Sequence, residues 1–155
     1  MEKPNIDAIN QRILRELQAN GRISVQDLSQ RVGLSPSPCA RRINMLEQAG
    51  VIAGYHAMID EASAGFPFAV FVSVKLDRQV DDTIREFEAA IRTYPEVVDC
   101  WLMTGNRDYL LRLAVRDTAD YESFLTGKLT RIPAVASIES SIPLRRVKSG
   151  ISRSR

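Results

Sequence analysis

Polar side chains recur every three or four positions in the segment 36–48, at Ser37, Arg41, Asn44 and Gln48. A helix turns about 100° per residue, so this spacing places the four side chains on one face, opposite an apolar face with Cys39. Arginine can hydrogen-bond guanine in pairs, and asparagine or glutamine can do the same with adenine. The pattern therefore predicts a helix whose polar face contacts base edges in a DNA major groove.

Residues beside this face predict contacts with the DNA backbone. Arg42 lies nearer the apolar side of the helix, where we expect it to reach a phosphate. Ser35 and free backbone N–H groups at the start of the helix suit the same anion. The whole segment from Gln30 to Leu46 has no acidic residue. This absence favours a surface that faces DNA over an ordinary solvated polar face.

The residues that usually build catalytic and metal sites are scarce in this chain. Two cysteines, Cys39 and Cys100, and a single histidine, His56, provide no zinc-binding spacing. Neither a Cys–His pair, nor a phosphate-binding loop, nor a matched acid–base pair can be identified. We therefore predict no catalytic residue, no metal and no cofactor, and a protein that is not an enzyme.

Length and composition indicate a globular protein with one domain or two small ones. The chain has 155 residues, of which 45% are hydrophobic and 26% charged. Its longest uncharged apolar stretch, residues 66–74, is too short to span a bilayer. The first five residues contain no apolar segment typical of a signal peptide. We expect a cytoplasmic protein with no membrane partner.

Helical spacing dominates the first fifty residues. An apolar stripe predicts a helix over 6–19, and a second begins after Ser24, a typical N-cap. Prolines at positions 36 and 38 suit the first turn of the third helix, which ends near Gln48. We predict a helix-turn-helix DNA-binding domain over residues 1–50. Residues 51–67 are interpreted as a linker that includes a short strand over 55–59.

From residue 68 onwards, two-residue alternation and helical spacing take turns. Strands are predicted over 68–76, 97–104, 109–115 and 135–142, with helices over 81–94 and 119–131. The order βαββαβ is that of a ferredoxin-like domain, here over residues 68–155 with a basic tail. The fold class is therefore α+β.

One face of the predicted sheet lacks a helical cover. On the second strand we place Val97, Trp101 and Met103 on that face, which is too apolar to be left in water. A second copy of the sheet can cover it, so we expect at least a dimer.

Several motifs resemble the Lrp/AsnC (feast/famine) family of transcriptional regulators over residues 6–148. They are Ile13-Leu14, Gly21-Arg22-Ile23-Ser24, Val32-Gly33-Leu34-Ser35-Pro36-Ser37-Pro38-Cys39, Gly50-Val51-Ile52-Ala53-Gly54-Tyr55 and Thr104-Gly105-Asn106-Arg107-Asp108-Tyr109-Leu110-Leu111. The resemblance implies an N-terminal winged-type helix-turn-helix domain and a C-terminal βαββαβ (RAM) domain. It also implies homodimers that assemble into octamers on double-stranded DNA, and in many members a response to an amino acid.

The resemblance places the effector between dimers, near the turn Gly105–Asp108. Gly105 permits a close backbone approach, and consecutive turn N–H groups can hold a carboxylate. Asp108 can accept hydrogen bonds from an ammonium group. We predict an effector site formed by Thr104, Gly105, Asn106, Asp108, Tyr109, Ser137 and Ser140.

Two alternatives remain open at this point. The turn residues are also those of an ordinary hairpin, because glycine, asparagine and aspartate all favour turns. The whole protein can also be read as a nucleoid-associated DNA-packaging protein without an effector. An RNA-binding function is disfavoured, because the strand 109–115 lacks the spaced aromatic residues that stack on bases.

Overall fold

The computed structural model describes residues 6–148, which divide into two compact units between Met58 and Ile59. This point lies inside the segment 51–67 that we interpret as a linker. The N-terminal unit contains three helices, which are α1 (Ala8–Ala19), α2 (Val25–Val32) and α3 (Pro36–Gln48). The boundaries 1–50 and 68–155 for the two domains stay a prediction.

Local side-chain chemistry defines where the three helices begin and end. Asp7 accepts a hydrogen bond from the Asn10 N–H at the start of α1. At the start of α2, the Ser24 hydroxyl accepts from the Asp27 N–H and donates to the Asp27 carboxylate. Gly33 ends α2 with a φ of +75°, a conformation that costs glycine little. The predicted N-cap Ser24 is thus confirmed.

A small apolar core holds the three helices together. Its buried members are Ile13, Leu28, Val32, Cys39, Ile43 and Leu46. Cys39 faces inward as its spacing predicts, and burial raises the pKa of its thiol. The apolar side of α3 is therefore committed to the core, and its opposite side faces solvent.

The short strand predicted over residues 55–59 does not form in the described chain, so that prediction is wrong. A strand needs a neighbouring backbone with which to exchange hydrogen bonds, and no other strand lies in the described residues of the N-terminal unit. Tyr55 is held instead by its side chain, whose hydroxyl donates to a Glu47 carboxylate oxygen at 2.9 Å.

The C-terminal unit has the predicted βαββαβ order. Its elements are β1 (Phe68–Leu76), α4 (Asp81–Ile91), β2 (Val97–Leu102), β3 (Tyr109–Val115), α5 (Thr118–Gly127) and β4 (Val135–Ser141), with a short 3-10 turn at Leu129–Arg131. The strands form one antiparallel sheet in the order β2-β3-β1-β4. This arrangement confirms the ferredoxin-like prediction.

Alternation along the strands sends one set of side chains toward the helices. Val70, Val72 and Val74 of β1 are fully buried, and Phe87 of α4 and Phe124 of α5 belong to the same core. The intervening positions of β1, such as Phe71 and Lys75, belong to the other face. We call this other side of the sheet the open face.

The open face is less apolar on β2 than the sequence suggested. The pairing of β2 with β3 shifts between Val97 and Asp99, as at a β-bulge. Val97 therefore pairs with buried Leu113 and packs on the helix side, which corrects its predicted position. Trp101 remains on the open face, opposite Leu110, and is 44% exposed.

The core of the N-terminal unit provides a first test of the packing. We expect Ile13→Ala to lower the free energy of unfolding by about 2–5 kcal/mol, because it removes three carbons from a filled site. Ile6→Ala is the matched control, since Ile6 is 38% exposed. Urea unfolding followed by circular dichroism measures both variants. An equal loss in the two would contradict the proposed core.

Candidate DNA-binding and effector sites

The polar face of α3, formed by Ser37, Arg41, Asn44 and Gln48, is exposed to solvent. Within residues 6–148 none of these four side chains has a hydrogen-bond or ion-pair partner. The Ser35 side chain is also exposed and makes no capping hydrogen bond. Five polar side chains at one end and along one side of α3 therefore keep their hydrogen-bonding capacity for another molecule.

The two charged residues that flank this face are engaged inside the unit. Arg42 Nη1 lies 2.7 Å from Asp7 Oδ2 and 2.9 Å from Asn10 Oδ1, so Arg42 ties α3 to the start of α1. The Asn10 N–H and the Arg42 guanidinium together lower the pKa of Asp7. Glu47 accepts the Tyr55 hydroxyl; burial and this hydrogen bond raise the pKa of Tyr55 to about 12.

The start of α3 has fewer free N–H groups than the sequence analysis expected. The residues Pro36 and Pro38 have no backbone N–H, and the Cys39 N–H donates to the Ser35 carbonyl. In the described chain, the first turn therefore offers an anion one backbone donor, that of Ser37. The Ser35 and Ser37 hydroxyls supply the remaining donors.

The turn after β2 is glycine-dependent and largely exposed. Gly105 has a φ of +113°, a conformation that other residues rarely adopt. Thr104 and Asn106 are exposed, and their side chains have no hydrogen-bond partner among the described residues. The Met103 N–H donates to the Asp108 carbonyl at 2.8 Å and closes the turn.

Asp108 is 4% exposed, and the protein itself satisfies its carboxylate. One oxygen accepts the Leu76 N–H at 2.7 Å, and the other accepts Gln79 Nε2 at 2.5 Å with Lys75 Nζ at 3.6 Å. Burial raises the pKa of Asp108, but these donors outweigh it and the pKa is lowered. Asp108 thus fastens the turn to the end of β1, a role that its expected contact with an ammonium group did not include.

Tyr109 is also buried, on the helix side of the sheet. Its ring packs on Phe87 with 4.5 Å between the centroids, and its hydroxyl donates to Glu88 at 3.0 Å. Burial and the Glu88 carboxylate raise the pKa of the Tyr109 hydroxyl. In this chain Tyr109 is therefore part of the core beneath the turn.

The two predicted serines of β4 lie on opposite faces of the sheet. Ser137 pairs with Lys75 on the open face, whereas Ser140 pairs with buried Val72 on the helix face and contacts the Tyr121 hydroxyl. Ser140 is therefore separated from Ser137 by the sheet itself, which corrects their assignment to one pocket.

The sequence analysis missed two charged residues beside the turn. Arg107 donates to the Ser137 hydroxyl and to Glu139, each at 2.7 Å. The register of β4 against β1 puts Ser137 and Glu139 on the same face. Alternation already placed these two residues together, but only the pairing of β4 with β1 brings them to the turn.

A groove of about 440 Å³ lies elsewhere in the C-terminal unit and is lined by residues such as Phe66, Pro95 and Ala114. It includes none of the predicted effector residues. No group of three or more metal-binding side chains occurs in the described part of the chain. No helix within residues 6–148 has the length and apolarity to cross a membrane.

Comparison with known proteins identifies the family. Residues 69–152 match the model of the Lrp/AsnC ligand-binding domain, and residues 6–53 match a model of winged helix-turn-helix DNA binding. The chain belongs to the Lrp/AsnC family. The Lrp/AsnC chain is 46% identical to the Bkd operon transcriptional regulator of Pseudomonas aeruginosa over 142 residues, which cover 92% of this chain and 93% of that protein.

Two further comparisons agree with this assignment. The leucine-responsive regulatory protein of Haemophilus influenzae is 43% identical over 143 residues, or 92% of this chain and 86% of that one. The crystal structure of a Neisseria meningitidis transcriptional regulator in complex with L-Met has a TM-score of 0.91 at 36% identity, covering 95% of each chain. This Lrp/AsnC protein is thus a DNA-binding transcriptional regulator with a ligand-binding domain, and not an enzyme.

The structural role of Asp108 predicts a pH-dependent loss of stability in Asp108→Asn. The amide must point its NH₂ at another donor, so we expect the free energy of unfolding at pH 7 to fall by about 1–3 kcal/mol. The folded pKa is lowered, so the carboxylate stabilises the fold above its unfolded pKa of about 3.9. That contribution disappears as the pH falls through the folded pKa.

Urea unfolding at a series of pH values measures the difference between Asp108→Asn and the wild type. We expect this difference to shrink below pH of about 4. Asp82→Asn, the same change at an exposed position, is the control and stays close to the wild type. A constant difference at all pH values would show that the carboxylate charge does not contribute.

Proposed function

We propose that the polar face of α3 contacts the base edges of a DNA target in the major groove. In this assignment Arg41 pairs with guanine, and Asn44 and Gln48 pair with adenine. The observation that carries the proposal is the unused hydrogen-bonding capacity of this face, next to Arg42 and Glu47, which are both engaged internally. A groove-facing surface must also lack carboxylates, and the polar face has none.

The proposed phosphate contacts come from the residues around the polar face. Ser35 and Ser37 offer hydroxyls at the start of α3, where the helix dipole favours an anion. Arg42 uses only Nη1 in its printed contacts with Asp7 and Asn10. A guanidinium has five N–H donors in all, so Arg42 can hold α1 and bind a phosphate at the same time.

We further propose that the open face forms a homodimer and that dimers assemble into an octamer. Trp101 and Met103 are 44% and 43% exposed, and Leu110 lies directly opposite Trp101 on the same side of the sheet. A second copy can remove these side chains from water. Each dimer then presents two α3 helices to successive major grooves, in the cytoplasm where the DNA is found.

The proposed effector is an amino acid that binds beside the turn Gly105–Asp108, between dimers. The exposed turn, with Thr104, Gly105 and Asn106 free of internal hydrogen bonds, supports this position. The meningococcal structure contains L-Met, and the Haemophilus relative is named leucine-responsive. The effector regulates DNA binding if it has different affinities for two assembly states. We propose Asp108 and Tyr109 as residues that position the turn.

The base-reading role of Arg41 is tested by Arg41→Ala. We expect its specific DNA affinity to fall by about 1–3 kcal/mol and its preference at one base position to relax. Arg92→Ala removes the same charge from an exposed site in the C-terminal unit and is the control. Mobility-shift assays at fixed salt compare genomic target DNA with random DNA.

Unchanged specific binding by Arg41→Ala would remove this residue from the base contacts. Equal affinity of the wild-type protein for target and random DNA would instead favour a DNA-packaging role, since nonspecific binding is dominated by phosphate contacts.

The proposed dimer is tested by Trp101→Asp. A charge on the open face must be desolvated when two sheets pack, so we expect sedimentation analysis to show a shift toward the monomer. Leu102→Asp is the control, because Leu102 is 64% exposed but lies on the other side of the same strand. Equal effects of both substitutions, or of neither, would argue against the open face as the interface.

A further inference from the structure

An ion pair joins the proposed effector turn to the edge strand β4. Arg107 Nη2 lies 2.7 Å from Glu139 Oε2, and Arg107 Nη1 donates to the Ser137 hydroxyl at the same distance. The Glu139 side chain is 63% exposed and that of Arg107 is 36% exposed. Both charges are therefore accessible from the solvent on the open face of the sheet.

Glu139 is available to a ligand in a way that Asp108 is not. Both oxygens of Asp108 accept donors from the protein, and the side chain is buried. Glu139 uses Oε2 for Arg107, while Oε1 has no partner among the residues that the structure describes. The carboxylate that can accept an incoming ammonium group at this turn is therefore that of Glu139.

An exposed ion pair is also easy to open. Such pairs contribute about 0–1 kcal/mol to stability, because each charge is well solvated when they separate. An α-amino acid carries one carboxylate and one ammonium group, and so it replaces one internal pair by two new ones. The guanidinium of Arg107 suits a carboxylate through two parallel hydrogen bonds.

We propose that Arg107 binds the α-carboxylate of the effector and Glu139 its α-ammonium group, with the amino acid inserted into their ion pair. This inference rests on the proposed function, namely that an amino acid binds at this turn. It also names a local switch. Without effector the pair fastens the turn to β4, and with effector each residue holds the ligand instead.

Isothermal titration calorimetry of the full-length protein with each of the twenty L-amino acids tests this inference. For any amino acid that binds the wild type, we expect Arg107→Gln and Glu139→Gln each to weaken binding about ten- to a hundredfold. Arg116→Gln and Glu122→Gln are matched controls. Both positions are exposed in the same unit, and Arg116 forms an equally direct ion pair with Asp120.

The α-keto acid with the same side chain separates recognition from a structural defect. It lacks the ammonium group, so Glu139→Gln should bind it no more weakly than the wild type does, while binding the amino acid less tightly. A damaged fold would weaken both ligands alike, and that result would overturn the role of Glu139.

The outcomes also separate this inference from the proposed function. If no amino acid binds the wild-type protein, the proposed effector function fails and this assignment fails with it. If one binds the wild type, Arg107→Gln and Glu139→Gln equally well, an amino-acid effector stands and the assignment to this ion pair is wrong.

Discussion

The C-terminal unit depends on the two-residue alternation of side chains along its four strands. One set of positions meets α4 and α5 and is buried, whereas the other set remains on the open face. Because the connections of a βαββαβ unit place both helices on the same side, the chain cannot cover its second face by itself. The apolar residues for dimerisation and the charged residues beside the turn therefore occupy one surface.

The same kind of separation operates on α3, with a period of 3.6 residues. Arg41 and Arg42 are neighbours with the same chemistry, yet a rotation of about 100° gives them different surroundings. Arg42 meets Asp7 and Asn10, and its guanidinium helps to hold α1 against α3. Arg41 meets solvent. A helix that must both pack and contact DNA assigns these tasks by face, so a conservative change at Arg42 affects folding as well as binding.

Around the turn, burial decides which carboxylate is structural and which can bind a ligand. Asp108 lies inside, where an unpaired charge is costly, and it is fully hydrogen-bonded by the chain. Glu139 lies outside, where its pair with Arg107 can exchange at little cost. Asp108 thus provides a rigid base for the turn, and the exchangeable pair stands beside it.

The sequence by itself determined the helical and strand periods, and with them the βαββαβ order, the helix-turn-helix unit and the buried position of Cys39. These features follow from spacing and local caps such as Ser24, which a linear chain already contains. It did not determine what depends on pairing between distant segments. The shift beside Val97, the missing strand over 55–59, the separation of Ser137 from Ser140 and the internal partners of Asp108 all required the tertiary structure. Strand register and hydrogen-bond partners are properties of neighbours in space, and residues such as Arg107 and Glu139 meet only after β4 has paired with β1.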